Sequence, residues 1–413
     1  MKFATLINAR SLPESTDPDF DFDYVDISRV TQGVIDSEPQ AVTFRSAPSR
    51  ARRLADPGDT VVSTVRTYLR AVAEVSPTDM PQVFSTGFAV IKGRPGILDP
   101  RFLTYYLQSS PFVERVVADS VGVSYPAINA SDLAAYDFWA PNMIEQTAIA
   151  DFLDRETAQI DAMIEANEKM ISALHERLIS EVTARILPQK GTSTSHKWFG
   201  NVAWEAPKLW RHAKITNGST PKRERTDYWG GDFPWLNSSV VNLDSVAHAD
   251  QFVTETALAE CHLPIVPAGS VLVGLTGQGR TRGKATELHM TSTINQHMAA
   301  VIPDPAFWVS RYLTLSLRSA YEELRRISDA NGATKGALTC EALAAFRVPL
   351  PPLAEQRRLA VEADTASSKT RNLVESAMRV SVLLRERREA LITAAVSGRI
   401  DPTTGIERIE EAS

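Results

Sequence analysis

The chain is poor in cysteine. Its two cysteines, Cys261 and Cys340, stand far apart and neither belongs to a Cys-x-x-Cys pair. That argues against a structural zinc site or a disulfide framework and fits a reducing, cytoplasmic setting. Positive charge is not in excess either: 44 Lys and Arg against 50 Asp and Glu leave a net charge of −6. Bulk basicity therefore gives no reason to expect nucleic acid, and any such partner must be held by local patches. Long apolar runs are missing as well. Phe3-Ala4-Thr5-Leu6-Ile7 soon gives way to Asn8 and Arg10, unlike a secretory signal. The longest stretch without Asp, Glu, Lys or Arg, Cys261–Gly279, contains Pro264, Pro267, Gly269, Gly274 and Gly277, so it reads as strand and turn rather than a membrane span.

Catalytic constellations are absent too. An adenine methyltransferase needs an Asn/Asp-Pro-Pro-aromatic strip against its target base, and Pro-Pro occurs only in Leu350-Pro351-Pro352-Leu353. No Gly-x-Gly-x-x-Gly follows a strand. Gly277-Gln278-Gly279-Arg280-Thr281-Arg282-Gly283-Lys284-Ala285 fails as a phosphate loop, because its spacing is too long and Ala285 stands where a magnesium-binding hydroxyl is needed. The seven histidines are scattered, and neither Cys261-His262 nor His289 with His297 has metal-ligand spacing. The carboxylates between Asp17 and Asp26 read as a solvated face. No catalytic, metal-binding or cofactor-binding residue is expected on this chain.

What the sequence does contain is a repeat. With 413 residues it is long enough for two or three domains. A shift of 210 carries Glu145-Gln146 onto Glu355-Gln356, Phe102-Leu103-Thr104 onto Tyr312-Leu313-Thr314, and Leu133-Ala134-Ala135-Tyr136 onto Leu343-Ala344-Ala345-Phe346. A shift of 211 aligns Ala89-Val90-Ile91 with Ala300-Val301-Ile302, and Phe22-Asp23-Tyr24-Val25 with Phe233-Pro234-Trp235-Leu236. Such a period is far longer than the roughly 20–50 residues of a solenoid repeat, so two whole modules stand in tandem.

Each module is a mixed segment followed by a long helical arm. Segments 1–140 and 200–350 carry short apolar runs, such as Thr60-Val61-Val62-Ser63, Phe88-Ala89-Val90-Ile91 and Ser270-Val271-Leu272-Val273, bounded by glycine and proline. These predict strands, and 102–119 and 307–327 predict amphipathic helices, so each segment is α+β. Between Ile144 and Leu187 there is neither proline nor glycine, and apolar residues recur at Ile160, Ile164, Met170, Ile171, Leu174, Leu178, Val182 and Ile186. The second arm runs from Leu353 to about Val396 with Leu359, Ala363, Ala366, Leu373, Val374, Ala377, Val380, Leu384 and Leu391, and stops at Gly398. Arms on the order of 60 Å long cannot bury such stripes alone, so pairing as an antiparallel coiled coil is expected. The resulting division is 1–140, first mixed domain; 141–188, first long helix; 189–350, linker and second mixed domain; 351–400, second long helix; and 401–413, tail.

Cations cluster locally. The first segment has Arg45, Arg50, Arg52 and Arg53, then Arg66, Tyr68 and Arg70 after the strand ending at Ser63. The second has Lys222, Arg223 and Arg225 beside Tyr228 and Trp229, then Arg280, Arg282 and Lys284 after the strand ending at Val273. Arginine and lysine neutralise phosphates, and a two-pronged arginine contact reads guanine. Ser219, Thr220 and Gln278, and the polar loop holding Asn331, Thr334 and Lys335, could add hydrogen bonds, although turn formation accounts for Asn331-Gly332 equally well.

Two mixed segments alternating with related long helices, each opening Pro-x-x-x-Glu-Gln-x-x-[Ile/Leu]-Ala, resemble the specificity subunit of type I restriction–modification systems. The matching residues are Pro141 to Asp154 and Pro351 to Ala360, together with Gly218-Ser219-Thr220-Pro221 and Trp235-Leu236, which is similar to the start of a target recognition domain. The first module departs from this pattern, carrying Ile7-Asn8-Ala9-Arg10 at the Gly-Ser-Thr-Pro position.

The resemblance implies a non-catalytic chain with two tandem-related α+β target recognition domains, each reading one half of a split site in double-stranded DNA, with the paired helices spacing the halves. It also implies two methylation subunits as partners, using S-adenosylmethionine, and a restriction and translocase subunit that can join them with ATP and Mg. A coiled-coil scaffold that binds proteins would share the arms and the acidity but not the cationic loops. An orphan recognition subunit of a methylation-only or phage-exclusion system would share both.

Overall fold

A computed structural model of the chain describes residues 4–6, 8, 10–36, 38, 40–122, 126–187, 194–277, 281–330 and 336–406. It separates into two compact units, one formed by Met1–Lys169 with Met378–Ser413 and the other by Met170–Ala377. The mixed segments and the long helices are thus regrouped: each unit takes one mixed segment, the first part of one long helix and the last part of the other.

In the first unit, Thr60-Val61-Val62-Ser63 is buried at all four positions, as a β-branched run covered on both faces should be. It is an inner strand of an antiparallel sheet ordered Ala4–Leu6, Phe88–Gly93, Thr60–Ser63, Val72–Glu74. A second sheet is mixed and ordered Ala41–Thr43, Asp21–Val25, Gln82–Ser85, Ala51–Arg53, its two inner strands being parallel.

The second unit repeats this plan. Ala213–Asn217, Met298–Pro303, Val271–Gly274 and Ala285–Leu288 follow the same antiparallel order, with Ser245–Val246 added at the edge. Gln251–Val253, Trp229–Leu236 and Thr293–Ile294 reproduce the antiparallel and parallel pairings of the first unit's second sheet. Tyr24 opposite Val83 becomes Trp235 opposite Thr293, so the register also survives the duplication.

The predicted helices 102–119 and 307–327 each divide in two. Pro100–Gln108 and Ser110–Ala118 are separated at Ser109, and Ser310–Ser319 and Tyr321–Ala330 at Ala320. In the first unit Pro111 lies in the first turn of the new helix, where its missing N–H costs nothing, whereas in an unbroken helix its ring would meet the Leu107 carbonyl. The second pair ends later than expected, since Ser328 and Asp329, beyond the predicted end at 327, are helical.

The long helices are Met143–Ile186 and Leu353–Val396, 44 residues each. In the first unit Ile149, Ala150 and Leu153 share a core with Ile392, Ala395 and Val396 and with Phe102, Leu103 and Leu107. In the second, Val182, Ile186 and Leu187 share one with Leu359, Ala360, Ala363, Tyr312, Leu313 and Leu317. The helices run antiparallel, since Asp161 meets Arg388 and Asn167 meets Ser381.

The predicted stripes are buried in part: Ile160, Val182, Ile186, Leu359, Ala363, Val374 and Ala377 are covered. Met170, Leu373 and Val380 are 49%, 45% and 44% exposed, while Asn167, Ser367, Thr370 and Ser381 are buried. Close approach of two helices covers only a narrow strip that favours short side chains, so long apolar residues beside it stay half in solvent. The Asn167 amide donates to Ser381 Oγ at 2.7 Å, a polar contact of the kind that fixes register in a paired helix.

The Glu-Gln motif has a structural purpose that the sequence concealed. Gln146 is buried; its Oε1 accepts from the Asp99 N–H at 2.8 Å, and its Nε2 donates to the carbonyls of Ile97 at 3.1 Å and Pro141 at 2.8 Å. Gln356 repeats all three bonds at 2.8 Å, to Val309, Phe307 and Pro351. One amide thus ties the start of each long helix to the loop leading into its module's helical pair.

Candidate nucleic-acid interface

In both units the short turn joining the two sheets approaches the turn after an inner strand. In the first, Thr64 N–H donates to Gly87 O at 2.8 Å while Thr86 N–H donates to Arg50 O at 2.8 Å. This places Arg50 and the Thr64–Arg70 turn on either side of the Thr86-Gly87 turn, bringing together two clusters that the sequence kept apart. Arg66 and Arg70 both adopt left-handed backbone (φ 54 and φ 54), uncommon for a residue with a Cβ. They bracket a short 3-10 turn, Thr67–Leu69, that leaves Tyr68 and Leu69 exposed. The Arg66 N–H is fixed to Pro126 O at 2.8 Å.

The other cations of this unit are differently placed. Arg45 pairs with Asp19 at 3.2 Å on the surface. Arg50 is exposed and donates to the Tyr24 hydroxyl at 3.2 Å. Arg52 lies over the Phe44 ring at 4.8 Å. Arg53 is half-buried, donates to Asn8 O, and burial pushes its guanidinium below the ordinary arginine value. Arg70 is turned onto Glu389 of the second long helix, so it serves the fold.

In the second unit the equivalent turn between sheets brings Leu275 N–H to His297 O at 2.9 Å. Thr220 Oγ1 donates to Gln296 Oε1, and Thr276 Oγ1 lies 2.9 Å from His297 Nδ1. The approach depends on Gly218: a Cβ there would lie 1.6 Å from Ile294 O, and Ser219 N–H donates to that same oxygen at 3.0 Å. The strip continues sideways. Trp235 Nε1 donates to Ser219 O at 3.1 Å and Trp229 Nε1 to Lys222 O at 3.2 Å. Exposed Arg223 lies 3.9 Å over Trp229 and donates to Gln251 Oε1 at 2.7 Å. A planar cation on an indole face can contact phosphate or base without losing its support.

Two of the predicted cations here are held in ion pairs. Arg225 is held by Asp227 at 2.8 and 2.7 Å with Glu260 at 3.5 Å, and the Asp227 hydrogen bonds raise its pKa. Arg282 is not a surface residue: it is 5% exposed and pairs with Asp329 at 2.7 Å. Lys284 donates to Asn242 Oδ1 at 2.9 Å. Gln278, Arg280, Asn331, Thr334 and Lys335 lie outside the described residues. Gln296, His297, Thr276 and Gln251 were not singled out from sequence, because a search for positive charge passes over neutral polar groups. The signal for the first two was a polar dipeptide in a tight turn between apolar runs.

Both units also carry an ionic node, partly solvated in the first unit and more deeply set in the second. Arg101 meets Asp151 at 2.8 Å and Asp154 at 2.6 Å, and Arg311 meets Asp364 at 2.5 Å, Asp244 at 3.2 Å and Glu287 at 3.8 Å. Among the described residues no group of three or more His, Cys, Asp or Glu side chains could hold a metal ion, and no helix is long and apolar enough to cross a membrane.

The family model described as Type I restriction modification DNA specificity domain matches twice, over residues 21–171 and 201–362. The chain is similar to the specificity subunit of the type I restriction enzyme EcoR124I/EcoR124II of Escherichia coli, 23% identical over 251 residues that make up 59% of this chain and 56% of that one. It is also similar to the specificity subunit of the type I restriction enzyme MjaIX of Methanocaldococcus jannaschii, 30% identical over 162 residues, 38% of this chain and 36% of the relative. The match thus spans little more than half of the first relative's length and about a third of the second's. A solved structure concerned with complex assembly and conformational transition of the type I R-M system shares the fold at a TM-score of 0.55 and 22% identity, covering 96% of this chain and 98% of that chain. With its domain matched twice over most of the sequence, the chain belongs to the family of type I restriction modification DNA specificity proteins.

Proposed function

We propose that this chain is the DNA sequence-specificity subunit of a type I restriction–modification complex, each unit reading one half of a split duplex site. The observation that carries this reading is the duplicated sheet architecture with different side chains at equivalent turns: Thr86-Gly87 in the first unit, Gln296-His297 in the second. A shared scaffold presenting unlike contact groups suits two half-sites of unlike sequence. The chemistry belongs to partners: two methylation subunits that carry S-adenosylmethionine and modify adenine, and a restriction and translocase subunit that uses ATP and Mg. A cytoplasmic setting follows from that role.

Exchanging residues 200–350 for the corresponding segment of a relative is expected to change one half of the modified site and leave the other intact, read by sequencing modified bases in cells carrying the complex. A change in both halves, or in neither, overturns the modular reading. Arg223→Ala is expected to weaken binding to specific and random duplex alike, and to lower the slope of log K against log salt by about 1. An unchanged slope removes Arg223 from phosphate contact.

A further inference from the structure

Resting on the reading above, we infer that Gln296 is a base-reading residue of the second unit and selects adenine at one position of its half-site. The side chain is exposed yet held at both ends. Its Oε1 accepts from the Thr220 hydroxyl, and its Nε2 lies 3.4 Å from His297 Nε2. An amide N–H donating to His297 Nε2 makes that nitrogen the acceptor, so the ring proton sits on Nδ1 and is directed at Thr276 Oγ1, 2.9 Å away. The chain of bonds is self-consistent from Thr220 to Thr276.

The turn beneath it is equally fixed. Asn295 is 5% exposed, its N–H donates to Leu236 O at 3.0 Å, and its Oδ1 accepts from the His297 N–H at 3.1 Å. A glutamine held in place loses little freedom on binding, unlike a freely rotating surface side chain. Beyond these two bonds its carboxamide keeps one N–H and one oxygen lone pair. That pair matches adenine in the major groove, whose N7 accepts and whose N6 donates. No cation on this strip has the same complementarity. Arginine and lysine only donate, which suits guanine or phosphate.

The first unit has Thr86-Gly87 at the equivalent turn, so this contact is specific to one half of the site. Thr220 and His297 act through Gln296 and are positioning residues.

The test uses the full chain in complex with its methylation subunits, and reads the modified sequence of the whole genome of the host. Gln296→Ala is expected to reduce the preference for adenine at one position of one half-site by about tenfold or more, with every other position retained. Gln296→Glu, which can only accept, is expected to shift that position toward cytosine. Thr220→Val is expected to relax the same position partially and no other.

An unaltered motif in Gln296→Ala overturns the inference. So does general loss of modification in Gln296→Ala, because Gln296 would then serve assembly or folding rather than base choice. If the wild-type complex itself marks no split sequence, the underlying functional reading fails instead, which separates the two.

Discussion

Arg311→Leu is expected to destabilise the second unit by about 3 kcal/mol at neutral pH, the low end for breaking a buried ion pair because its carboxylate partners are partly solvated. Arg311 is 19% exposed at its side chain and is shared by Asp364, Asp244 and Glu287. Burial pushes both aspartates upward, but the guanidinium groups outweigh it: Arg311 and Arg371 at Asp364, Arg318 and Arg311 at Asp244. Both therefore sit below the ordinary value of 3.8. Glu287 sits above 4.5 because burial dominates there.

The signs oppose one another. The aspartates contribute stability that is present above pH 3.8 and is lost as pH falls through their lower folded values. Glu287 contributes stability that is present below pH 4.5 and is lost as pH rises through its folded value. Removing Arg311 weakens the first contribution, with Arg318 remaining beside Asp244 and Arg371 beside Asp364, and worsens the second. The penalty of Arg311→Leu is therefore largest at neutral pH and shrinks toward pH 3.5 as the carboxyls begin to take up protons. Urea unfolding followed by tryptophan emission reads this, since Trp198, Trp204, Trp210, Trp229, Trp235 and Trp308 all lie in the second unit. A penalty of equal size at both pH values would show that lost packing, not charge, is responsible.

The ionic node illustrates what a linear reading can and cannot reach. The duplication was legible because a fixed shift preserves core positions: Phe102 and Tyr312, Leu107 and Leu317, and Leu133 and Leu343 are all fully buried. Arg101 with Asp154 and Arg311 with Asp364 obey the same shift, yet charged residues are frequent enough that the pairing is visible only once the helices pack. The cationic loops show the converse. Sequence counts cations but not the distant carboxylates that engage them, so Arg70 and Arg282 looked equivalent to Arg223. Their partners, Glu389 and Asp329, are set by the fold. The long helices were legible from their length and lack of breakers. Their seam was legible only in part: Ile160, Val374 and Ala377 are buried as the stripes predict, but apolar periodicity carries no information on how closely two backbones approach.

Gln356→Leu is expected to cost the second unit roughly 3–5 kcal/mol, at about 1–3 kcal/mol for each buried backbone group left without a partner. The groups are the Val309 N–H and the carbonyls of Phe307 and Pro351, all now satisfied at 2.8 Å. Leucine preserves the volume, so a cavity cannot explain the loss. Gln356→Glu separates hydrogen bonding from shape further. At neutral pH it turns a donor toward two carbonyls into a charged acceptor, which repels them. On acidification the carboxyl gains a proton that can be donated to one of them. The glutamate variant is therefore expected to recover part of its stability as pH falls, while the leucine variant does not. Gln146→Leu is the matching experiment in the first unit. Trp139 is the one tryptophan in that unit's sequence, two residues before Pro141, whose carbonyl Gln146 holds. Its emission should report early loosening there. If either leucine variant unfolds at the wild-type urea concentration, the shared amide is not what fastens the long helix to its module, and the repeated Glu-Gln dipeptide must be explained by something outside the chain.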